Sequence, residues 1–367
     1  MNKLQHVMII AMFSIGFATY ANTAEPSLDF TTDVIADKLV SPWALALTPQ
    51  GHWLITEREG NVVKVSNDGT VTRQKLALPS LYVAGQGGLM DIKLFPDFNK
   101  SRALMISYAK GDKHDNRLAV MKGTLSVEGE IEGLETVFEV KDTKDTPVHY
   151  GGRLLALNKN EWLVTSGDGF DYREKAQKLN SQLGKVLRFN SDGSAPVDGT
   201  FSGAPFIFTY GHRNPQGLIQ GPHGEIWLHE HGPDGGDEIN QLHRGDNYGW
   251  PVVTNGNDYS GARISPFRHY EGMQNPVWDW TPSIAPSAMV YYCGAQFPSL
   301  RNTLLVTALK DKAVYAVALE EQNASQQRIF SSLGKRLRDI AVDNLGYIYL
   351  LTDGTDASLV RVSPRNQ

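Results

Sequence analysis

The residues best able to do chemistry lie in one stretch, Gly211 to Pro251. Arg213 and Asn214 stand at a turn before a short apolar strand, and a glycine-rich acidic loop, Gly232 to Glu238, follows the next strand. Guanidinium groups bind carboxylates in a bidentate geometry. Carboxylates and backbone carbonyls are oxygen ligands that suit calcium. The stretch therefore predicts a site for an anionic ligand beside a site for a hard metal ion.

The acidic loop has alternatives that its residues leave open. It does not match the EF-hand pattern, and Asp237 and Glu238 could equally cap turns. His229 and His231, two residues apart, could bind a transition metal or serve only the fold. A third ligand at a persuasive spacing is missing from the sequence, so we favour calcium for this region.

A candidate general base precedes another glycine pair. His149 is followed by Tyr150, Gly151 and Gly152. The ordinary pKa of imidazole lies near neutrality, which suits proton transfer. Glycines allow a ligand to approach the backbone closely. The alternative is that His149 only stabilises the fold and takes no part in proton transfer.

The composition limits the class of protein. The chain has 367 residues, of which 41% are hydrophobic and 20% charged, and a net charge of −5. A large β architecture of this length can form one domain. The acidic balance predicts no nucleic-acid partner. Cys293 is the only cysteine, so no disulfide can form within the chain.

The first 24 residues predict a secretory signal peptide. Lys3 precedes the apolar run Val7 to Ala18, and cleavage could follow Ala21 or Ala24. A membrane anchor is the alternative, but the run is shorter than the roughly 20 residues that a span needs. We expect a periplasmic protein whose mature part, residues 25–367, is one domain without a membrane span.

One pattern recurs along the chain: an apolar strand, a turn rich in Pro, Asp, Asn or Gly, a second strand ending in a polar loop, and a third strand. Its six copies begin at Trp43, Leu89, Gly152, Gln216, Ala288 and Asp339. Radial repetition of such units leaves few open sheet edges. The sequence therefore predicts an all-β, six-bladed β-propeller with four-stranded antiparallel blades.

Three further expectations accompany the propeller. The segment from Leu28 to Val40 should complete the last blade and close the ring. Helical turns are expected only within Lys175 to Leu187 and Ala316 to Gln322. A two-domain β-sandwich is the alternative architecture, because its strands have a similar spacing.

The propeller would bring polar loops to one rim of its channel. The loops entering the innermost strands and those between strands two and three lie on the same face. They carry Gln86, His149, Arg213, Asn214 and Arg336 to Arg338, and Asp168, His231 to Pro233 and Ala308 to Lys310. Four of these residues, Arg213, Lys310, Arg336 and Arg338, are cations. Their convergence predicts a bound anion, and separate structural ion pairs are the alternative.

The motifs, taken in order, resemble those of soluble quinoprotein sugar dehydrogenases, the PQQ-dependent aldose sugar dehydrogenases. They cover nearly all of the mature chain. They are Gly85 to Gly88, His149 to Leu154, Gly211 to Gly217, Glu230 to Pro233, Gly236 to Asn240, Asn247 to Pro251, Ala308 to Lys312, Arg336 to Asp339 and Leu350 to Asp353.

The resemblance implies a propeller that oxidises aldose sugars at C1 to lactones, with hydride passing to calcium-bound PQQ. His149 would be the general base, and Arg213 would stabilise charge on the quinone oxygen. The carbonyls of Gly232 and Pro233 would hold the calcium ion that contacts PQQ, and Glu238 with the Tyr248 carbonyl a second, structural one. The implied cofactor contacts are Gln86, Arg213, Asn214, Tyr259, Ala308, Leu309, Lys310, Arg336, Leu337 and Arg338.

Two other function classes were weighed. A calcium-dependent propeller lactone hydrolase would need several carboxylate or asparagine side chains around one central metal, whereas this rim is rich in cations. A non-catalytic propeller binding module would not need His149 or Arg213 with Asn214, which are present. The sequence leaves open the preferred sugar, the periplasmic electron acceptor, the cleavage site and the choice between monomer and homodimer.

Overall fold

The computed structural model describes residues 28–319 and 324–365. The predicted signal peptide lies outside the described residues. The strands form six four-stranded antiparallel sheets. They are arranged as a six-bladed β-propeller, which confirms the predicted fold.

The strands follow the chain blade by blade. Strand β1 (Phe30–Leu39) comes first. Blade 1 contains β2 (Pro42–Leu47), β3 (Trp53–Glu57), β4 (Asn61–Val65) and β5 (Val71–Lys75). Blade 2 contains β6 (Leu89–Leu94), β7 (Ala103–Gly111), β8 (Asn116–Leu125) and β9 (Ile131–Glu139). Blade 3 contains β10 (Leu154–Ala156), β11 (Glu161–Ser166), β12 (Lys185–Asn190) and β13 (Ile207–Tyr210).

Blade 4 contains β14 (Pro215–Gln220), β15 (Ile226–Glu230), β16 (Asp237–Leu242) and β17 (Trp278–Trp280). Blade 5 contains β18 (Pro286–Tyr292), β19 (Thr303–Ala308), β20 (Val314–Ala318) and β21 (Ser325–Ile329). Blade 6 contains β22 (Leu337–Val342), β23 (Ile348–Thr352), β24 (Ala357–Pro364) and β1. Strand β1 pairs antiparallel with β24, from Phe30 opposite Pro364 to Leu39 opposite Ala357. The ring is therefore closed by the segment predicted to close it.

Helices are few and short in the described part of the chain. They are α1 (Phe98–Ser101) and the 3-10 helices Arg173–Gln177, Pro298–Leu300 and Ser331–Leu333. None of the described helices has the length and apolar character needed to cross a membrane.

The two segments predicted to contain helical turns, Lys175 to Leu187 and Ala316 to Gln322, are mostly not helical where the structure describes them. Within the first, only Lys175 to Gln177 are helical, and Lys185 to Leu187 belong to β12. In the second, Ala316 lies in β20, where it pairs with Leu305 on one side and Gln327 on the other. Pairing on both edges of a strand outweighs the helix propensity of alanine. Residues 320–322 lie outside the described part.

Arg153 joins the blades at the centre of the ring. It stands just before β10, and its side chain is 4% exposed. The guanidinium meets one residue from the innermost strand of each of the other five blades: Trp43, Asp91, Gln216, Ser287 and Asp339. Six inner strands are therefore tied through one buried side chain.

The contacts of Arg153 are hydrogen bonds, ion pairs and a ring contact. Its Nε donates to the Gln216 carbonyl and its Nη2 to the Ser287 carbonyl, each at 2.7 Å. Its Nη1 lies 3.5 Å from Asp91 and 3.4 Å from Asp339. The guanidinium carbon lies 4.2 Å from the centre of the Trp43 ring. A buried cation paired on several sides holds its partners in a defined arrangement.

Candidate active site

A buried chain of hydrogen bonds holds the predicted base. Nδ1 of His149 lies 2.7 Å from Oδ1 of Asp168. The second carboxylate oxygen accepts a 2.7 Å hydrogen bond from the Trp250 indole. The Phe170 amide also donates to Oδ1, at 2.8 Å. The carboxylate therefore fixes the plane of the imidazole ring and directs Nε2 away from Asp168.

The backbone around His149 is held in a rarely populated conformation. Its φ is 52°, in the left-handed region, and its amide donates to Oε1 of Gln86 at 2.8 Å. A Cβ at Gly167 would lie 2.2 Å from the His149 carbonyl oxygen, so the neighbouring loop can approach only with glycine there. Such strain persists where surrounding contacts enforce it.

Burial changes the acid–base behaviour of His149. Its side chain is 6% exposed. Burial lowers the pKa of His149 because the charged imidazolium loses its water, and the nearby Arg213 acts in the same direction. The hydrogen bond to Asp168 opposes this shift. The ring is therefore a neutral acceptor at ordinary pH.

Arg213 lies at the junction of two loops. Its Nη1 donates to the Gly232 carbonyl at 2.5 Å and to the His231 carbonyl at 3.1 Å, and its Nη2 lies 3.4 Å from the Tyr259 hydroxyl. The Glu230 carboxylate accepts a hydrogen bond from the Arg213 amide. The arginine is thus fixed at both its backbone and its guanidinium.

A cavity of about 470 Å³ opens on the channel rim. Its polar lining includes Arg58, Gln86, Asn214, Gln216, His231, Arg336, Arg338 and Asp353, and its apolar lining includes Trp43, Met90, Tyr150 and Leu309. The Nδ2 atom of Asn214 is buried and has no protein partner among the described residues. A buried donor without a partner calls for a ligand acceptor.

The cations of this cavity are Arg58, Arg336 and Arg338. Asp353 holds two of them, with 2.9 Å to Arg336 and 2.8 Å to Arg338. Burial lowers the pKa of Arg338, although Asp353 opposes the shift. Arg58 donates to the carbonyls of Gly85 and Gly87. One carboxylate facing three guanidinium groups leaves a positive excess that suits an anionic ligand.

A second cavity has a volume of about 270 Å³. It is lined by Phe170, Asp171, Arg173, Arg213, Pro233, Trp250, Asp258, Tyr259 and Ile264. The His149 ring lies 5.2 Å from Phe170, while Tyr150 and Gly151 line the first cavity. His149 lines neither cavity but has neighbours in both, whereas Arg213 lines the second cavity and the next residue, Asn214, lines the first.

Some of the predicted cofactor contacts do not line the first cavity. Lys310 is exposed and lies outside its lining. Arg213 and Tyr259, also predicted as cofactor contacts, line the second cavity instead. Ala308 and Leu337 are buried in β19 and β22, beside the lining residues Leu309 and Arg338. The lining of the first cavity brings together Gln86, Asn214, Leu309, Arg336 and Arg338.

The acidic loop contains a half-buried carboxylate, Glu238, with other carboxylates near it. Burial raises the pKa of Glu238 well above its ordinary value, and Glu230, Asp279 and Asp237 act in the same direction. Asn240 donates to Glu238 at 2.8 Å, but its own Oδ1 is buried without a partner among the described residues. Loss of water and repulsion by other carboxylates favour either protonation of Glu238 or a cation near it. This donor set suits a hard cation such as calcium.

The other predicted metal ligands are backbone carbonyls. Gly232 offers its oxygen to Arg213, and the Pro233 oxygen lies 3.5 Å from the Ser283 hydroxyl. Tyr248 is buried beside His212, with ring centres 4.9 Å apart. In the described part of the chain, no three His, Cys, Asp or Glu side chains are clustered to hold a metal ion. His231 instead contacts the Pro286 carbonyl, at 2.7 Å.

Sequence reasoning missed three residues of this site. The sequence pattern puts Asp168 on the rim but gives it no role, Trp250 lies within the motif Asn247 to Pro251, and no pattern marks Arg58. The signal for Asp168 was its position in the loop after β11, because this loop and the one before β10 share a face of blade 3. Trp250 is 82 residues from Asp168, and no local pattern links them.

The chain is similar in sequence to several sugar dehydrogenases. The sequence matches the family described as Glucose / Sorbosone dehydrogenase over residues 39–361. It is 36% identical to the aldose sugar dehydrogenase YliI of Escherichia coli (strain K12), with 99% of each chain covered. It is 26% identical to the quinoprotein glucose dehydrogenase B of Acinetobacter calcoaceticus, covering 96% of this chain and 91% of the relative.

Solved structures agree with these relatives. The apo-form of the soluble aldose sugar dehydrogenase from Escherichia coli matches with a TM-score of 0.87 and 37% identity, covering 92% of this chain and 100% of that one. The PQQ-bound aldose sugar dehydrogenase from Streptomyces coelicolor matches with a TM-score of 0.72 and 26% identity, covering 93% and 100%. With its fold and nearly its full length in common with these proteins, the chain belongs to the glucose/sorbosone dehydrogenase family.

Proposed function

We propose that the protein is a periplasmic, PQQ-dependent aldose dehydrogenase that oxidises the sugar at C1 to the lactone. The observation that carries the proposal is the position of His149. Its ring is oriented by Asp168 at 2.7 Å and lies 5.2 Å from Phe170, which lines the second cavity, while the next residue, Tyr150, lines the cation-rich cavity. This arrangement can place a redox cofactor on one side of a base and a substrate on the other.

The first cavity fits the chemistry of PQQ, a planar tricarboxylate. Its volume of about 470 Å³ lies within the range of small-molecule sites. Arg58, Arg336 and Arg338 can pair with carboxylates, and the unpartnered Nδ2 of Asn214 can donate to an oxygen. The Streptomyces coelicolor relative is described as PQQ-bound. When bound, PQQ supplies the quinone that accepts the hydride.

His149 takes the proton in this proposal. Because Nδ1 faces the Asp168 carboxylate, Nδ1 carries the hydrogen and Nε2 presents the lone pair. Nε2 would accept the proton of the anomeric hydroxyl as the C1–H bond breaks. Asp168 would then stabilise the imidazolium, in the way a carboxylate orients the base of a hydrolase triad.

Arg213 supplies fixed positive charge near the base. Its guanidinium is held by the Gly232 and His231 carbonyls and lines the second cavity. A preorganised cation stabilises negative charge as it develops without needing to reorganise. The centre of the Trp250 ring lies 5.4 Å from the guanidinium carbon. Arg213 would therefore favour the charge-separated state of the reaction.

Calcium is the second part of the proposal. Glu238, together with the Tyr248 carbonyl, would hold a structural ion, and the crowded carboxylates around Glu238 support this. The carbonyls of Gly232 and Pro233 would hold an ion at the cofactor. The Gly232 carbonyl accepts a hydrogen bond from the Arg213 guanidinium, so this oxygen already faces a positive charge.

Reconstitution tests the proposal. The mature chain would be purified without cofactor, loaded with PQQ and Ca²⁺, and assayed with glucose and other aldoses and an artificial electron acceptor. We expect aldose-dependent dye reduction only when PQQ has been added. Absence of dye reduction with every aldose, together with lactone hydrolysis by the same sample, would instead favour a propeller hydrolase.

A further inference from the structure

Lys144 is a buried lysine beside the candidate catalytic pair. Only 3% of the residue is exposed. Its Nζ donates to Oδ1 of Asn116 at 3.0 Å and to the carbonyl of Thr146, and lies 3.5 Å from the centre of the Tyr150 ring. An ammonium group on an aromatic face is attracted to the ring, more strongly when both are desolvated. All three contacts are to groups near His149.

One partner of Lys144, Tyr150, lines the first cavity and is held by another partner, Asn116. The Tyr150 hydroxyl donates to the same Asn116 Oδ1 atom, at 2.6 Å. The backbones of Lys144 and Asn116 exchange hydrogen bonds of 2.9 and 3.0 Å. Tyr150 lines the cavity and directly follows His149. Lys144 therefore fixes the ring next to the base.

Lys144 also packs against the loop that carries Asp168. A Cβ added at Gly169 would lie 2.8 Å from Cδ of Lys144, so the side chain occupies the space that the glycine leaves. The Thr146 hydroxyl donates to the Gly169 carbonyl at 2.6 Å. The ammonium attracts the Asp168 carboxylate. Lys144 thus joins the segment before His149 to the loop of its carboxylate partner.

The ammonium is charged where His149 titrates. Burial lowers the pKa of Lys144 to about 7, and the carboxylates of Asp168 and Asp145 oppose this. The pKa of His149 is lowered from its ordinary 6.5 by burial. Other charged or titratable groups face the pair: Arg213 and His231 around His149, and Asp145 and Tyr150 around Lys144. At the pH values at which the His149 imidazole becomes protonated, the Lys144 side chain is therefore protonated too.

We propose that Lys144 is a positioning residue whose buried ammonium holds Tyr150 and the His149 segment in place and favours the pairing of an ionised Asp168 with a neutral His149. Removing the positive charge would make protonation of His149 easier. The consequence for turnover rests on the proposed function. The effect on the pKa of the His149 imidazole does not rest on the proposed function, because it can be measured in the protein without cofactor.

The test compares two buried lysines of the same region. Lys144→Met keeps the length of the side chain without charge or donor, and Lys144→Gln keeps a donor without charge. Lys185→Met is the control. Lys185 is also buried, its ammonium is held by the carbonyls of Lys175, Ala176 and Leu183, and burial lowers its pKa to about 7. Its contacts do not include His149, Tyr150 or Asp168.

The first readout is the titration of His149 in the apo-protein, followed by NMR with labelled histidine. The His149 signal is identified by its absence in His149→Gln. Both Lys144 variants should raise the His149 pKa by about half a unit or more, whereas Lys185→Met should leave it in place. A His149 pKa in Lys144→Met and Lys144→Gln equal to that of the wild type would overturn the proposal, whatever happens to stability.

The second readout is activity after reconstitution. We expect kcat to fall about tenfold in Lys144→Met, the KM for the sugar to change little, and the acidic limb of the pH profile to move upward. If Lys144→Met does not fold, Lys144→Gln carries both measurements. An inactive wild type with a shifted His149 titration in the variants would refute the dehydrogenase function and leave the role of Lys144 standing.

Discussion

The imidazole of His149 and the carboxylate of Asp168 lie 2.7 Å apart, on the two loops of blade 3 that open on the channel rim. The contact is buried on both sides, with side-chain exposures of 6% and 1%. A base oriented in this way presents one nitrogen to the substrate in a fixed direction. The remaining features of the site are arranged around this pair.

Asp168→Asn should therefore lower turnover strongly. An amide can offer its NH2 group to Nδ1, which would favour the tautomer with hydrogen on Nε2 and remove the acceptor. We expect kcat to fall about 100-fold or more. Asp192→Asn, an exposed carboxylate in the turn after β12 of the same blade, is the control and should leave kcat unchanged. Retention of kcat by Asp168→Asn within a factor of three would refute this role.

The pH profile should extend to low pH. Because burial lowers the pKa of His149, the imidazole remains neutral below pH 6.5 and is lost as a base only when the pH falls through the lowered value. The acidic limb of kcat/KM for the reconstituted protein should consequently lie below about pH 6.5. A limb at or above the ordinary histidine pKa would mean that another group, or a solvent-exposed His149, controls the rate.

Arg338 should contribute more to cofactor affinity than Arg336. The Arg338 side chain is 15% exposed and that of Arg336 is 47% exposed, although both pair with Asp353. A charge pair away from water is stronger. Titration of tryptophan fluorescence with PQQ should show about a tenfold weaker Kd for Arg338→Met and a smaller change for Arg336→Met. Arg361→Met, which loses a pair with Asp33 far from the rim, should bind normally. Equal losses in all three variants would contradict the assignment.

The site could be predicted from sequence only where its signals are local. The turn before β14 places Arg213 and Asn214 on the rim because strand and turn patterns are read within ten residues. The contact between Trp250 and Asp168 depends on how blades 3 and 4 pack. Arg58 likewise reaches the cavity through the carbonyls of Gly85 and Gly87 from the next blade. Lys310, placed on the correct loop, is exposed because residue order does not determine side-chain direction.

The same distinction explains the fold. Blade boundaries followed from alternating apolar residues and glycine or proline turns, which act locally. The alanine-containing strand β20 looked helical because its partners, β19 and β21, are invisible to a short sequence window. The role of Arg153 was also hidden, since its five partners are spread from Trp43 to Asp339.

Arg153→Met should destabilise the whole ring. Methionine would fill part of the space but leave Asp91 and Asp339 buried without their cation and two carbonyls without a donor. Loss of one partner of a buried ion pair costs about 3–5 kcal/mol. Thermal and urea unfolding would measure the free energy of unfolding. Arg365→Met, an exposed arginine paired with Asp29, should cost little. Equal stability of the two variants would exclude a central role for Arg153.

Calcium should stabilise the protein through Glu238. The carboxylates around Glu238 repel one another, and a bound cation would relieve this. Chelation should lower the Tm of the wild type, and added Ca²⁺ should restore it. Glu238→Gln should be less sensitive to chelator, whereas the exposed Glu271→Gln should respond like the wild type. An unchanged Tm of the wild type on chelation would remove the structural calcium site from the account.

The absorbance of bound PQQ on addition of sugar, in wild type and in His149→Ala, tests the central claim most directly. Both proteins should bind PQQ, because His149 does not line the cation-rich cavity. In the absence of an electron acceptor, glucose or another aldose should convert the cofactor spectrum to its reduced form in the wild type. In His149→Ala the same change should be slower by about 100-fold or more. Equal rates of reduction in the two proteins, or no spectral change in the wild type with any aldose, would contradict the account.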